Sequence, residues 1–239
     1  MSDVAIFEAE GFDKQGHILI CGWSSQGRRA VDDLGTIAPE LEITVVSTTT
    51  GDDPNPVPVD DGITHVCGDP TDHDTLLEAG ITDASVVVIL ADRHYSSQPQ
   101  TLDARTVLTA LTVRQLHESV HLIAEVSRED NEDLAADAGV DETIMADRFS
   151  GVMLSQALQR PGLSELFTSL FETAAGSVLE LRPVPASLVG KPYSHAITDA
   201  PSSQLGVVAG LQRDDELMLP PREDIELTES DSLLVMRSV

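Results

Sequence analysis

The stretch His17-Ile-Leu-Ile-Cys-Gly-Trp-Ser-Ser-Gln-Gly27 decides the fold. Four apolar residues run into a Gly-x-Ser-x-x-Gly turn, and Ala30, Val31 and Leu34 then recur at helical spacing. A buried strand breaking through a glycine turn into a helix is the phosphate-facing edge of a Rossmann-like sheet. Working outward, Ile43–Ser47 and Thr64–Cys67 read as second and third strands, and His73–Ala79 as a helix. Val86–Leu90 is continuously apolar rather than alternating, as a strand buried on both faces of a parallel sheet must be. Thr101–Leu116 reads as a helix with Leu102, Val107, Leu108, Leu111 and Val113 as its apolar positions. His121–Val126, a helix over Asp130–Ala138 and Glu142–Met145 complete the alternation. Strands alternating with helices predict an α/β fold with a doubly wound, mostly parallel sheet. One crossover breaks the pattern: Pro54, Pro56 and Pro58 within Thr48–Gly62 exclude a regular helix there.

The chain has 239 residues, 41% hydrophobic, with 14 basic against 41 acidic residues and a net charge of −27. Such self-repulsion disfavours a compact state in dilute buffer and is screened in concentrated salt. The composition therefore predicts a halophilic protein of a salt-rich cytoplasm. A surface this acidic is the wrong sign for a phosphate backbone, so nucleic acid is excluded as a partner. The longest apolar run, Val86–Ala91, is far short of the roughly 20 residues that span a bilayer. Met1–Gly16 is acidic and mixed, without a secretory apolar core, so the sequence predicts an intracellular soluble chain. Cys21 and Cys67 lie at predicted strand ends on non-adjacent strands and read as small buried apolar residues rather than a disulfide.

From Phe149 the pattern changes. Val152, Met153, Leu154, Ala157 and Leu158 define one amphipathic helix, Pro161-Gly162 breaks it, and Leu163, Leu166, Phe167, Leu170 and Phe171 define a second. A pair this apolar outside the sheet either packs back on it or forms a homodimer interface, and the second is favoured. Beyond it, Val178–Leu181, Leu205–Leu211, Leu217–Leu219 and Leu233–Met236 read as short strands of a small α+β unit, with a short helix from Val189-Gly-Lys-Pro-Tyr193. The expected organisation is a sheet domain over 16–148, crossover helices over 149–174 and a C-terminal subdomain over 175–239.

Ser24 replaces the second glycine of the full turn, and no acid ends the second strand, where Ser47 stands instead. A carboxylate there would hold a ribose hydroxyl through a charge-assisted bond of about 1.5–3 kcal/mol. Arg28 and Arg29 either anchor a bound anion or pair with Asp32 and Asp33 one turn on. Thr71 reads as an N-cap. Asp92, His94 and Glu125 follow or end central strands, where open α/β sheets bind ligands. They read as a carboxylate–imidazole site or as solvated loop charges. Tyr95 and Tyr193 lack a lysine four residues on, and the seven histidines fit no nucleophile motif.

Ile20-Cys-Gly-Trp-Ser24, Gly68-Asp-Pro-Thr71, Leu76-Leu-Glu-Ala-Gly-Ile81, Ala124-Glu125 with Asn131 and Ala138-Gly139, and the Asp215-Glu216 turn together resemble the RCK (regulator of potassium conductance) family. The resemblance covers residues 16–239 and is nearer the channel-type members than the transporter subunits. It implies a Rossmann-like N-terminal domain, a helix-turn-helix dimerisation element and a small C-terminal subdomain. It places the ligand face at Gly22, Trp23, Ser24, Ser25, Gly27, Arg28, Ser47, Asp69, Thr71, Ala91, Asp92 and Glu125. Glu125 also matches a metal position of calcium-gated members, although Leu90 and Ser127 stand where other acids of that cluster would be.

The function so implied is a non-enzymatic, cytoplasmic, ligand-sensing gating module for a potassium channel or potassium uptake system. Its partners would be a second copy, an octameric gating ring as the larger assembly, and a membrane pore holding it at the cell membrane. The ligand is left open among ATP, ADP, AMP and NAD, with a divalent cation a weaker fit. The competing classes are a nucleotide-dependent oxidoreductase of Rossmann type and a standalone sensor acting on another partner.

Overall fold

The computed structural model describes residues 16–59, 62–93, 95–163, 165, 167–168, 177–199, 206–214 and 216–238. The chain divides into two compact units, residues 1–155 and 156–239.

In the first unit six strands form one sheet. They are β1 (His17–Cys21), β2 (Ile43–Ser47), β3 (Ile63–Cys67), β4 (Ala84–Ile89), β5 (His121–Glu125) and β6 (Glu142–Ile144). Their order is β3-β2-β1-β4-β5-β6, and every pairing is parallel. The order reverses between β1 and β4, which is where a doubly wound sheet opens a crevice beyond its strand ends. The two faces of β1 feed two cores. Ile18 and Ile20 pack with Val31, Ile43, Val45, Trp23 and Val57. Leu19 and Cys21 pack with Leu76, Val87, Ala110, Val113, Leu122 and Ala135.

The first core is covered by α1 (Ser25–Ile37) and by the proline-rich segment. The second is covered by α2 (His73–Glu78), α3 (Pro99–Leu116) and α4 (Glu132–Asp137). Asp72, rather than the expected Thr71, caps α2, because its side chain accepts from the Asp74 N–H while Thr71 is turned toward Asp69.

The face of α3 differs from the expected one. Leu108 and Leu111 are exposed, at 54% and 44%, while Asp103, Thr106, Thr109 and Thr112 are buried with Leu102, Ala110 and Val113. The buried polar groups for which contacts are given have partners. Asp103 accepts from the Ser127 and Arg128 N–H groups and from Asn131, and Thr106 and Thr112 donate to the Glu125 and Thr71 carbonyls. Cys67 is exposed, against expectation, since β3 is an edge strand; Cys21 is fully buried.

α5 (Ala146–Gln159) buries none of its residues: Phe149, Val152, Leu154 and Leu158 all face outward. The second expected helix, toward Phe171, lies largely outside the described residues. Among the described residues no helix is long and apolar enough to cross a membrane.

In the second unit, β7 (Ser177–Pro183), β8 (Val207–Arg213), β9 (Glu216–Met218) and β10 (Ser232–Ser238) form an antiparallel sheet in the order β7-β10-β8-β9. With α6 (Tyr193–Asp199) it encloses Leu188, Tyr193, Ala196, Leu211, Leu227, Leu233 and Val235. Asp215 and Leu205 lie outside the described residues.

Candidate functional site

The site grows from the turn after β1. Gly22 has φ of +91°, its N–H donates to the Val46 carbonyl, and a Cβ there would meet the Leu90 carbonyl oxygen at 2.8 Å. Only glycine allows β1, β2 and the rim after β4 to meet this closely. Ser24 caps α1, its Oγ accepting from the Gly27 N–H at 3.1 Å, and Ser25 is exposed. The Arg28 and Arg29 side chains reach Asp32 and Asp33 at 3.9 and 3.3 Å. Arg28 also donates to the Pro56 carbonyl, and the Trp23 indole donates to the Asn55 carbonyl at 3.0 Å. Trp23 and Arg28 thus fasten the proline-rich segment to the turn, and Trp23 is buried beneath it rather than offered to a ligand.

Ser47 ends β2 fully buried. Its hydroxyl pairs with His65 Nε2 at 3.2 Å and accepts from the Thr49 N–H. The position where a ribose acid would stand is internal structure.

The other side of the rim is open. A small recess, about 20 Å³ and room for little more than one water, is lined by Cys21, Gly22, Pro70, Ile89, Leu90, Asp92, Leu102, Arg105, Thr106 and Thr109. It lies at the β1–β4 reversal. Asp69 borders it: its Oδ1 accepts from the Thr71 N–H and hydroxyl at 2.9 and 2.8 Å and from Arg105 Nη2 at 2.7 Å. Partial burial works against the charge of Asp69, but these donors and the guanidinium outweigh it and hold the carboxyl below the ordinary aspartate range. Arg105 in turn covers Tyr95, its Cζ 3.7 Å from the ring centroid.

Glu125 is buried and accepts from the Ala91 N–H at 3.0 Å, with Arg93 3.9 Å from its other oxygen. His94 lies outside the described residues, and among those described no three His, Cys, Asp or Glu side chains converge as a metal group.

Of the twelve residues the sequence put forward, Gly22 and Asp92 line the recess and Asp69 borders it, with Thr71 bonded to Asp69. Ala91 and Glu125 brace the rim from behind, and Trp23, Ser24, Arg28 and Ser47 serve internal contacts. Sequence reasoning missed Arg105. Its signal was Leu102, Arg105, Thr106 and Thr109 recurring at one-turn spacing, with a rare cation among them.

A family profile described as the TrkA-N domain matches residues 18–146, or 129 of the 239 residues. The calcium-gated potassium channel TvoK of Thermoplasma volcanium is 33% identical over 161 residues, covering 66% of this chain and 45% of that protein. YugO of Bacillus subtilis, whose name provisionally marks it as a potassium channel protein, is 27% identical over 225 residues, covering 92% of this chain and 65% of that protein. The chain thus spans about half to two thirds of the length of these relatives. Among solved structures, the human SLO3 gating ring superposes with a TM-score of 0.70 at 14% identity, covering 93% of this chain and 44% of that one. That likeness bears on the fold. The RCK resemblance is therefore borne out, and with more than half its length matched the chain belongs to the TrkA-N domain family.

Proposed function

We propose that this chain is a cytoplasmic, ligand-sensing regulatory module that couples occupancy of its sheet rim to the opening of a potassium channel or potassium uptake system. The observation that carries the reading is the recess at the β1–β4 reversal, built from Gly22, Asp92 and Arg105, in a chain whose relatives are named as potassium channels. In this reading residues 16–148 hold the ligand, 149–174 pair two copies, and 175–239 form a C-terminal subdomain. The outward Phe149, Val152, Leu154 and Leu158 of α5 support the pairing role. The pore would be a membrane partner, and the module acts on it only through the difference in ligand affinity between two arrangements of the paired lobes.

The ligand face comprises Gly22, Ser25, Gly27, Asp69, Thr71 and Asp92, with Ala91 and Glu125 fixing the rim. Because Glu125 is committed to the Ala91 N–H, calcium alone is expected to be a weak effector.

The test is a thermal-shift screen of the purified chain in concentrated potassium chloride against ATP, ADP, AMP, NAD, NADH, calcium and magnesium, followed by solution scattering. The expected result is a ligand that raises the melting temperature and changes the shape of a dimer. A monomer indifferent to every compound would refute the reading, and turnover of a nicotinamide would replace it with an oxidoreductase.

A further inference from the structure

A dinucleotide on a Rossmann-like edge asks three things of the β1–β2 side. It needs backbone N–H groups at the start of the first helix, close approach at the second glycine, and an acceptor for the ribose where the second strand ends. Here each is used inside the chain. Ser24 stands at the second glycine, and its Oγ takes the Gly27 N–H at 3.1 Å. Ser47 ends β2 with no exposure, its hydroxyl shared between His65 of β3 at 3.2 Å and the Thr49 N–H at 3.3 Å.

The proline-rich segment closes the same side. It turns where the Asp53 carboxylate accepts from the Thr50 N–H and hydroxyl, and it meets the glycine turn at residues 55–57. The Trp23 indole donates to the Asn55 carbonyl, Arg28 Nη1 donates to the Pro56 carbonyl at 3.2 Å, and Val57 is buried with Trp23 and Val31. The recess left at the rim measures about 20 Å³, whereas pockets for small-molecule ligands run to roughly 300–1,000 Å³. The residues of this edge do not fit an adenosine nucleotide.

Resting on the rim-sensing reading above, we infer that residues 48–59 are a built-in occupant of the nucleotide edge, seated by Trp23 and Arg28, and that they make this sensor refuse adenosine nucleotides. Trp23 and Arg28 are thus specificity-determining residues: they hold the chain's own backbone on the edge that a nucleoside diphosphate would use. The ligand sensed at the rim is one without a nucleoside. A nucleotide enters only when the segment lifts, so its apparent affinity is reduced by the fraction of molecules in which the segment is up.

The experiment is calorimetric titration of the full chain with ADP and NAD in concentrated potassium chloride. It compares the wild type with a Trp23→Phe/Arg28→Ala variant and a Pro54→Gly/Pro58→Gly variant. The wild type is expected to bind neither compound. Removing both side-chain donors should favour the lifted state and raise ADP affinity by at least roughly tenfold, to a measurable level. The glycine variant loosens the segment while keeping Trp23, Arg28 and Val57, so it should move the same way by less. It decides alone if the first variant does not fold. Saturable binding of ADP or NAD to the wild type overturns the inference and leaves the rim-sensing reading standing. Folded variants that protease cuts more readily within residues 50–58, yet that bind ADP no better, overturn it as well. A wild type silent toward every compound of the wider screen refutes the sensing reading instead, and variants that then gain ADP uphold the occupant role by itself.

Discussion

The Glu125 carboxylate accepts a hydrogen bond from the backbone N–H of Ala91, pinning the end of β5 to the rim that follows β4. Glu125→Ala strands that buried donor, and an unmet buried N–H costs about 1–3 kcal/mol. Glu125→Gln retains an acceptor oxygen and should lose less. Denaturant unfolding separates the two, and equal midpoints for both variants and the wild type would show that the contact does not brace the rim.

Four glycines grade the rim against the helices. Gly22→Ala forces a side chain onto φ of +91° and into the Leu90 carbonyl, a strain of about 1–3 kcal/mol. Gly27→Ala meets the Leu90 Cδ1 at 2.5 Å, a flexible end that can move, and should cost less. Gly35→Ala and Gly151→Ala meet nothing and should gain about 0.5–1 kcal/mol from helix propensity. Thermal unfolding of the four tests this order.

In the second unit Arg213 grips Asp231 through Nε and Nη2 at 2.7 and 2.6 Å, and the Thr228 N–H adds a third bond at 2.8 Å. The guanidinium hydrogen bonds outweigh burial and hold the Asp231 carboxyl below the ordinary aspartate range. Its folded pKa is thus depressed, so its stabilisation is full above the unfolded value of about 3.9 and lost as pH falls through the folded one. Asp231→Asn should cost about 3 kcal/mol at neutral pH, the low end for a buried pair because Arg213 is one-third exposed. Below that acid window the variant and wild type should converge. A difference that persists in acid would assign the loss to packing instead.

The two thiols should behave oppositely. Burial pushes the Cys21 thiol up to about 12, while Cys67 is exposed at the end of β3. A thiol reagent at neutral pH should modify one cysteine in the folded chain and two after denaturation. Modification of Cys21 without denaturation would mean that β1 opens.

Trp23 tests the proline-rich crossover. Trp23→Phe keeps an aromatic body in the core but removes the donor to Asn55. Stability should fall by about 1 kcal/mol, and cleavage by a non-specific protease should begin within residues 50–58. Cleavage elsewhere first would show that the indole does not hold that segment.

Much of the sheet unit was legible in the chain. The unbroken Val86–Leu90 run could only be a central strand, and it lies between β1 and β5. Local spacing was only partly right on α3: of its apolar positions Leu102 and Val113 are buried, but Leu108 and Leu111 face out and Asp103, Thr106 and Thr109 take the inner face. Buried polar groups survive there because Ser127, Arg128, Asn131 and the Glu125 carbonyl meet some of them, and those partners come from other elements. The same holds for the site. Asp69 and Gly22 carry motifs, whereas Arg105 acquires meaning only when α3 brings it to Asp69 and Tyr95, 36 residues away in sequence in the first case. Cys67 was misjudged because alternation does not say which strand ends at a sheet edge.

The crossover between β2 and β3 has one further consequence. Prolines 54, 56 and 58 already restrict the denatured ensemble, so ordering this stretch surrenders less chain freedom than ordering a flexible loop of equal length. Two carbonyl anchors and a single valine wedged into the sheet can therefore hold in place a connection that elsewhere takes a whole helix.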